Sequence, residues 1–212
     1  STLRTVSIKM CNTMPITVSK TRDMLVDVAR QLFARSGVDN TTMNDIAQAS
    51  RKGRRTLYTY FKSKNEIYMA VVESELDSLY KTLLSVASKD IPADEKIITF
   101  IYTRLDAIKA LVFRNGTLKA TFFRDIWRVE KVRKNFDIRE TEIIEGILNE
   151  GVAQGIFEMP DTHITAVVLH HAFKGLEVPY IRGLMGDNVS QRLQRKDNVM
   201  NLIFNGIKIK KN

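Results

Sequence analysis

One cysteine, Cys11, in 212 residues rules out an internal disulfide and suits a reducing compartment. No apolar run approaches the ~20 residues that a membrane span needs. The longest uncharged stretch near the C-terminal end still contains His170 and His171. The first residues lack the compact apolar core of a secretion signal, so the expected location is the cytoplasm, with no membrane partner. Missing too are a nucleophile–base–acid constellation, a phosphate-binding glycine loop and a zinc-ligand spacing. Neither catalysis nor a cofactor is therefore expected. No alternating strand pattern, internal repeat or low-complexity tract appears, which leaves an all-α fold. The most informative absence is local: residues 51–64 contain no Asp or Glu.

What is present begins with an apolar fraction of 44%, ample for a buried core. The net charge of +9 is unevenly placed. Residues 1–72 hold twelve Lys or Arg against five Asp or Glu, which is +7 of the total. A basic front end on a nearly neutral remainder implies that one end meets a polyanion.

Residues 1–18 are polar and aperiodic and read as a flexible arm; Met14 within it is a candidate natural start. From Lys20 the pattern turns helical, with Leu25, Val28, Ala29, Leu32 and Phe33 in one stripe and Gly37 placed for a left-handed C-terminal cap. Thr42 with Asp45 three residues on forms a capping box that opens a short helix, with Met43, Ile46 and Ala47 inward. A third helix is expected over about residues 54–60, with Leu57 and Phe61 inward. Ser63 and Glu66 repeat the capping pattern and open a long helix expected to link two lobes. Beyond Pro92 the expected helices cover residues 94–111, 119–132 and 136–154. A further helix is capped by Asp161, and a last one carries Val199, Leu202, Ile203 and Ile207. The domain division that follows is an arm over 1–18, a small DNA-binding unit over 19–72 with its helix-turn-helix at about 42–61, and a larger helical lobe over 73–212.

Two short amphipathic helices joined by a basic break meet the needs of a helix-turn-helix. One face fixes the second helix against the first, and the other is cationic enough for a duplex groove. Arg51, Lys52, Arg54 and Arg55 can neutralise phosphates and release counterions. Arg54, Arg55 and Thr56 stand at the start of the recognition helix, where Arg can read guanine and Thr the thymine methyl. The hydroxyls of Tyr58 and Tyr60 suit phosphate oxygens. Thr42 and Lys64, at the starts of neighbouring helices, complete the candidate DNA-binding set. A solvated surface turn is the bland alternative for such a run, but here the flanking apolar spacing makes a compact unit.

Residues 42–64, with IAQAS, TLYTYF and KSKNEI, resemble the TetR family of bacterial one-component regulators, as does the preceding ARQLFARSGVDNTT. The resemblance covers residues 20–72 and returns in EGVAQGIF at 150–157, which looks like that family's penultimate-helix ending. In the family the recognition helix usually opens with Gly-Val-Ser and a small residue, whereas this chain has Arg51, Lys52, Gly53, Arg54 and Arg55. The departure implies strong phosphate attraction. The resemblance implies a homodimeric repressor on double-stranded DNA at a near-palindromic operator, released by a small-molecule effector in the C-terminal lobe. A rival expectation is an architectural or cell-division adaptor that sits on DNA and presents this lobe to a protein.

Within the lobe, Ala172 and Gly175 allow close helix approach, and Val168, Leu202 and Ile203 supply an apolar face for a four-helix dimer interface. Tyr102, Phe113, Phe122, Phe123 and Trp127 concentrate aromatic surface that can line an effector cavity or simply pack a core. Arg124, Arg128, Lys131, Arg133 and Lys134 read as a solvated face. No metal site is expected. His170 and His171 diverge on a helix, and no Cys or carboxylate nearby in sequence completes a set with His163 and His170.

Overall fold

The computed structural model describes residues 20–114 and 126–183, together with Asn198 and Asn201. Seven helices and no β-strand occur among the described residues. They are α1 (Lys20–Ser36), α2 (Met43–Ala49), α3 (Arg54–Tyr60), α4 (Lys64–Ala87), α5 (Ala93–Arg114), α6 (Ile126–Ala153) and α7 (Thr162–Ile181).

Local chemistry sets the ends of the first four. Gly37, at φ +86°, closes α1 by donating its N–H to the Phe33 carbonyl at 3.0 Å. The Thr42 hydroxyl accepts from the Asp45 amide at 3.1 Å, while Asp45 Oδ2 accepts from the Thr42 amide at 2.8 Å. This capping box starts α2. At α4 the Ser63 hydroxyl accepts from the Glu66 amide, but Glu66 reaches back to the amide of Lys62 rather than to that of Ser63.

Two apolar cores follow. Leu25, Val26, Ala29 and Phe33 of α1 pack with Ile46, Ala47, Leu57, Phe61 and the first turns of α4, Ile67 to Val72. Seven residues are too few for α3 to hold its shape alone, so the complete burial of Leu57 and the near-complete burial of Phe61 keep it in place. The second core joins Leu79, Leu83 and Val86 of α4 to α5, α6 and α7. One helix thus runs through both cores, with Leu76 packed against each. Arg30 fastens α1 to α4, its Nη2 donating to Ser74 Oγ at 2.8 Å and its Nε lying 2.9 Å from Glu75 Oε1.

The phrase at 150–157 has a packing reason. A Cβ on Gly151 would meet the Phe157 ring at 2.1 Å, so only glycine lets that buried ring lie over the end of α6. Gly155, at φ +68°, turns the chain.

One expectation is corrected. Residues 126–153 form a single helix, where separate helices ending near 132 and starting at 136 were expected. The intervening Arg133, Lys134 and Asn135 contain no breaker, and Val132 and Phe136 lie one turn apart on an inward face. The start at Lys119 and the last helix, with Leu202 and Ile203, lie outside the described residues.

Candidate functional site

The turn between α2 and α3 is built from unusual residues. Arg51 adopts φ +53°, the left-handed conformation that glycine takes without penalty and that costs other residues about 1–2 kcal/mol. Two bonds hold it there: the Arg51 amide donates to the Gln48 carbonyl at 3.1 Å and the Lys52 amide to the Ala47 carbonyl at 3.0 Å. Gly53 then caps α3 with no side-chain hydrogen bond. The left-handed position of this turn is therefore filled by arginine, and the N-cap of α3 lacks a hydroxyl.

The outcome is a cationic corner turned to solvent. Arg51, Lys52, Arg54, Arg55 and Thr56 are all exposed, and their side chains make no hydrogen bond or ion pair among the described residues. Tyr58 stands 43% exposed on the same helix. Leu57 and Phe61 point the other way, into the core.

Three residues of the candidate set have work inside the molecule. Thr42 spends its hydroxyl on the α2 cap, also donating to Asp45 Oδ2 at 2.7 Å; these bonds hold the Asp45 carboxyl below its ordinary pKa. Lys64 donates from Nζ to the Val38 carbonyl at 2.7 Å and to that of Asp39 at 3.2 Å, closing the α1–α2 loop. Tyr60 is half-buried against the head core.

In the lobe, α7 exposes Ile164 (61%) and Val168 (60%), with Ala172 and Gly175 exposed further along. Spacings of four, four and three put these on one face. Tyr102 is half-buried on α5. Phe113 and Trp127 fall on α5 and α6, but their side chains lie outside the described residues, as do Phe122 and Phe123.

A site absent from the sequence reading occupies the core of the lobe. Arg104 of α5, 1% exposed, donates from Nε to Glu140 Oε1 of α6 at 2.5 Å and from Nη2 to Glu177 Oε1 of α7 at 2.7 Å. Burial would lower the arginine pKa, but the two carboxylates outweigh it and raise it. Arg133 Nη2 lies 3.4 Å from Glu177 Oε2, and Lys174 Nζ donates to Asp137 Oδ2 at 2.7 Å. Arg133 is thus half-buried in this network, not part of a solvated face.

His170, 3% exposed, sits between Asp137 and Glu140. Burial opposes its protonation, yet those two carboxylates raise its pKa. Burial would likewise raise the Asp137 pKa, but the neighbouring His170 and Lys174 bring it to about 2. His163 is exposed and bonds Glu145 at 2.9 Å.

A signal for this network exists in the sequence. Arg104 falls in the register of Ile97, Ile101 and Ile108, and Glu140 in that of Phe136, Ile143, Ile144 and Ile147. His170 and Glu177 fall in that of Ala166, Phe173 and Tyr180. Charges inside apolar stripes on three helices mark groups that must meet one another.

Residues 25–71 match the sequence model of the family described as bacterial regulatory proteins, tetR family. The chain is 30% identical over 155 residues to the HTH-type transcriptional repressor KstR2 of Mycolicibacterium smegmatis, covering 69% of this chain and 71% of that protein. It is 25% identical over 196 residues to the probable acrEF/envCD operon repressor of Escherichia coli, covering 87% of each. The crystal structure of a transcriptional regulator from Cytophaga hutchinsonii superposes with a TM-score of 0.70 at 22% identity, over 88% of this chain and 98% of the other. A basic helix-turn-helix on an all-helical body and these likenesses agree: the chain belongs to the TetR family of DNA-binding transcriptional regulators.

Proposed function

We propose that the protein is a homodimeric repressor that binds a near-palindromic operator through α3 and leaves it when a small molecule occupies the C-terminal lobe. The observation that carries this reading is the corner at residues 51–56, where four cationic side chains face solvent with no partner among the described residues. Buried or self-paired, they could not meet phosphate; as they stand they offer counterion release together with a rigid helix for base contact. Within the candidate set the contacts fall to Arg51, Lys52, Arg54, Arg55, Thr56 and Tyr58. Thr42, Tyr60 and Lys64 hold the head in shape.

The exposed face of Ile164, Val168, Ala172 and Gly175 supports dimerisation through α7, with Leu202 and Ile203 assigned to the same interface. A dimer spaces two recognition helices about one DNA turn (~34 Å) apart, which matches a palindrome and multiplies affinity. Residues 19–72 then form the reading head and 73–212 the effector and dimerisation lobe, in which the aromatic set from Tyr102 to Trp127 lines the effector cavity. Repression is the outcome named for both relatives above. Release follows if the effector prefers a head spacing that the operator does not fit. The working compartment is the cytoplasm.

Selection of bound sequences from random duplexes supplies the operator for the test. Arg54→Ala and Arg55→Ala should each weaken binding to it by about 10- to 100-fold where the arginine reads a base. The dimer mass should stay the same. Parental affinity in both variants would overturn the assignment.

A further inference from the structure

Between α6 and α7 a cleft of about 350 Å³ opens, lined by Asp137, Glu142, Glu145, His163, His170 and His171 among others. Asp137 and His170 stand at its floor with the buried Glu140 behind them, and each of the three brings a ligand-type atom within 4.8 Å of the other two. These three are held in an unusual state. Lys174 takes Oδ2 of Asp137 and Arg104 takes Oε1 of Glu140, which leaves the other oxygen of each carboxylate turned toward the histidine. Asp137 Oδ1, Glu140 Oε2 and both ring nitrogens of His170 are buried without an aligned hydrogen bond. Glu140 is completely buried and His170 is 3% exposed, so bulk water does not satisfy them.

The contact between His170 Nδ1 and Glu140 Oε2 is the telling one. The atoms are 3.0 Å apart, yet the oxygen lies off the direction in which the nitrogen would donate. Two ligand atoms each about 2.1 Å from one ion and at right angles to each other stand about 3.0 Å apart, both off-axis in this way. We propose that Asp137, Glu140 and His170 bind one divalent first-row transition-metal ion at the floor of this cleft.

One imidazole with two carboxylates selects the zinc, nickel and cobalt class over magnesium or calcium, which favour all-oxygen cages. The side facing the cleft provides an entry path and leaves positions open for water or a further ligand. Arg104 and Lys174 act as the outer partners that orient the two carboxylates. Asp137, Glu140 and Glu177 offset Arg104, Arg133 and Lys174, while Glu142 and Glu145 outnumber Lys134 on the lining, which leaves one negative charge in excess around the ion. Asp137 Oδ1 faces the other ring nitrogen, 3.7 Å from His170 Nε2, so this carboxylate must swing toward Nδ1 to join Glu140 on one ion.

The test uses the full chain stripped with a chelator and titrated with Zn2+ and with Co2+, whose visible absorption reports nitrogen and oxygen ligation. One ion per chain is expected, with a cobalt spectrum and a rise in thermal midpoint that Mg2+ does not produce. His170→Ala and Asp137→Asn should each weaken binding by at least about tenfold. His163→Ala, on the exposed rim, should leave it unchanged. No uptake by the parent chain at millimolar ion would overturn the proposal, as would loss in His163→Ala with retention in His170→Ala. The parental spectrum stands even if a variant folds poorly. No DNA enters the measurement, so its failure would leave the repressor reading untouched.

Discussion

The head and the lobe of this protein treat charge in opposite ways. At the corner before α3, Arg51, Lys52, Arg54 and Arg55 point to solvent and bind no side chain among the described residues. In the lobe, Arg104 is driven into the core and held by Glu140 and Glu177, with Arg133, Lys174, Asp137 and His170 gathered around them. Cations left open to water cost little and stay available to a polyanion. Buried ones are tolerable only with well-placed counter-charges, because desolvation of each ion costs several kcal/mol. Charge in the first region therefore bears on what the molecule meets, and charge in the second on how three helices are held together.

The sharpest way to break that contrast is Glu140→Ala. It leaves Arg104 with Glu177 alone of its two carboxylate partners and removes a carboxylate from His170, and should destabilise the lobe by about 3 kcal/mol in chemical denaturation. The matching change in the head, Arg54→Ala, should shift the same measurement by no more than about 0.5 kcal/mol. A similar loss from both would erase the distinction.

A middle-sized effect is expected at Arg51. Replacing it with glycine relieves the left-handed backbone and should raise stability by about 0.5–1 kcal/mol, while lowering operator affinity and flattening its salt dependence by one charge. Stability and binding moving together would show that the side chain supports the fold instead of a partner. The smallest effect is reserved for Gly53→Ser. The new Cβ meets nothing within 4 Å, and a hydroxyl there can cap α3 for a gain of a few tenths of a kcal/mol in thermal or denaturant unfolding.

Legibility in the sequence divides along the same line. The head was readable because its signals are local: Thr42 and Asp45, Ser63 and Glu66, and the inward Leu57 all act within one turn of themselves. Lys64 was not readable. Its ammonium reaches carbonyls twenty-five and twenty-six residues away, a pairing no local window contains. The lobe network was missed because charged residues are ordinarily read as solvent-facing, although Arg104, Glu140 and Glu177 keep strict step with the apolar stripes beside them. His170 looked unaccompanied along its own helix, and its carboxylate neighbours came from the preceding one.

Helix α4, with 24 residues, is about 36 Å long. Ile67 to Val72 pack into one core and Leu79 to Val86 into the other, so the helix passes unbroken between them. A swing of about five degrees at the far end carries the near end through about 3 Å, close to the rise of one base pair (~3.4 Å). A tilt of that size would shift a reading helix by about one base-pair step.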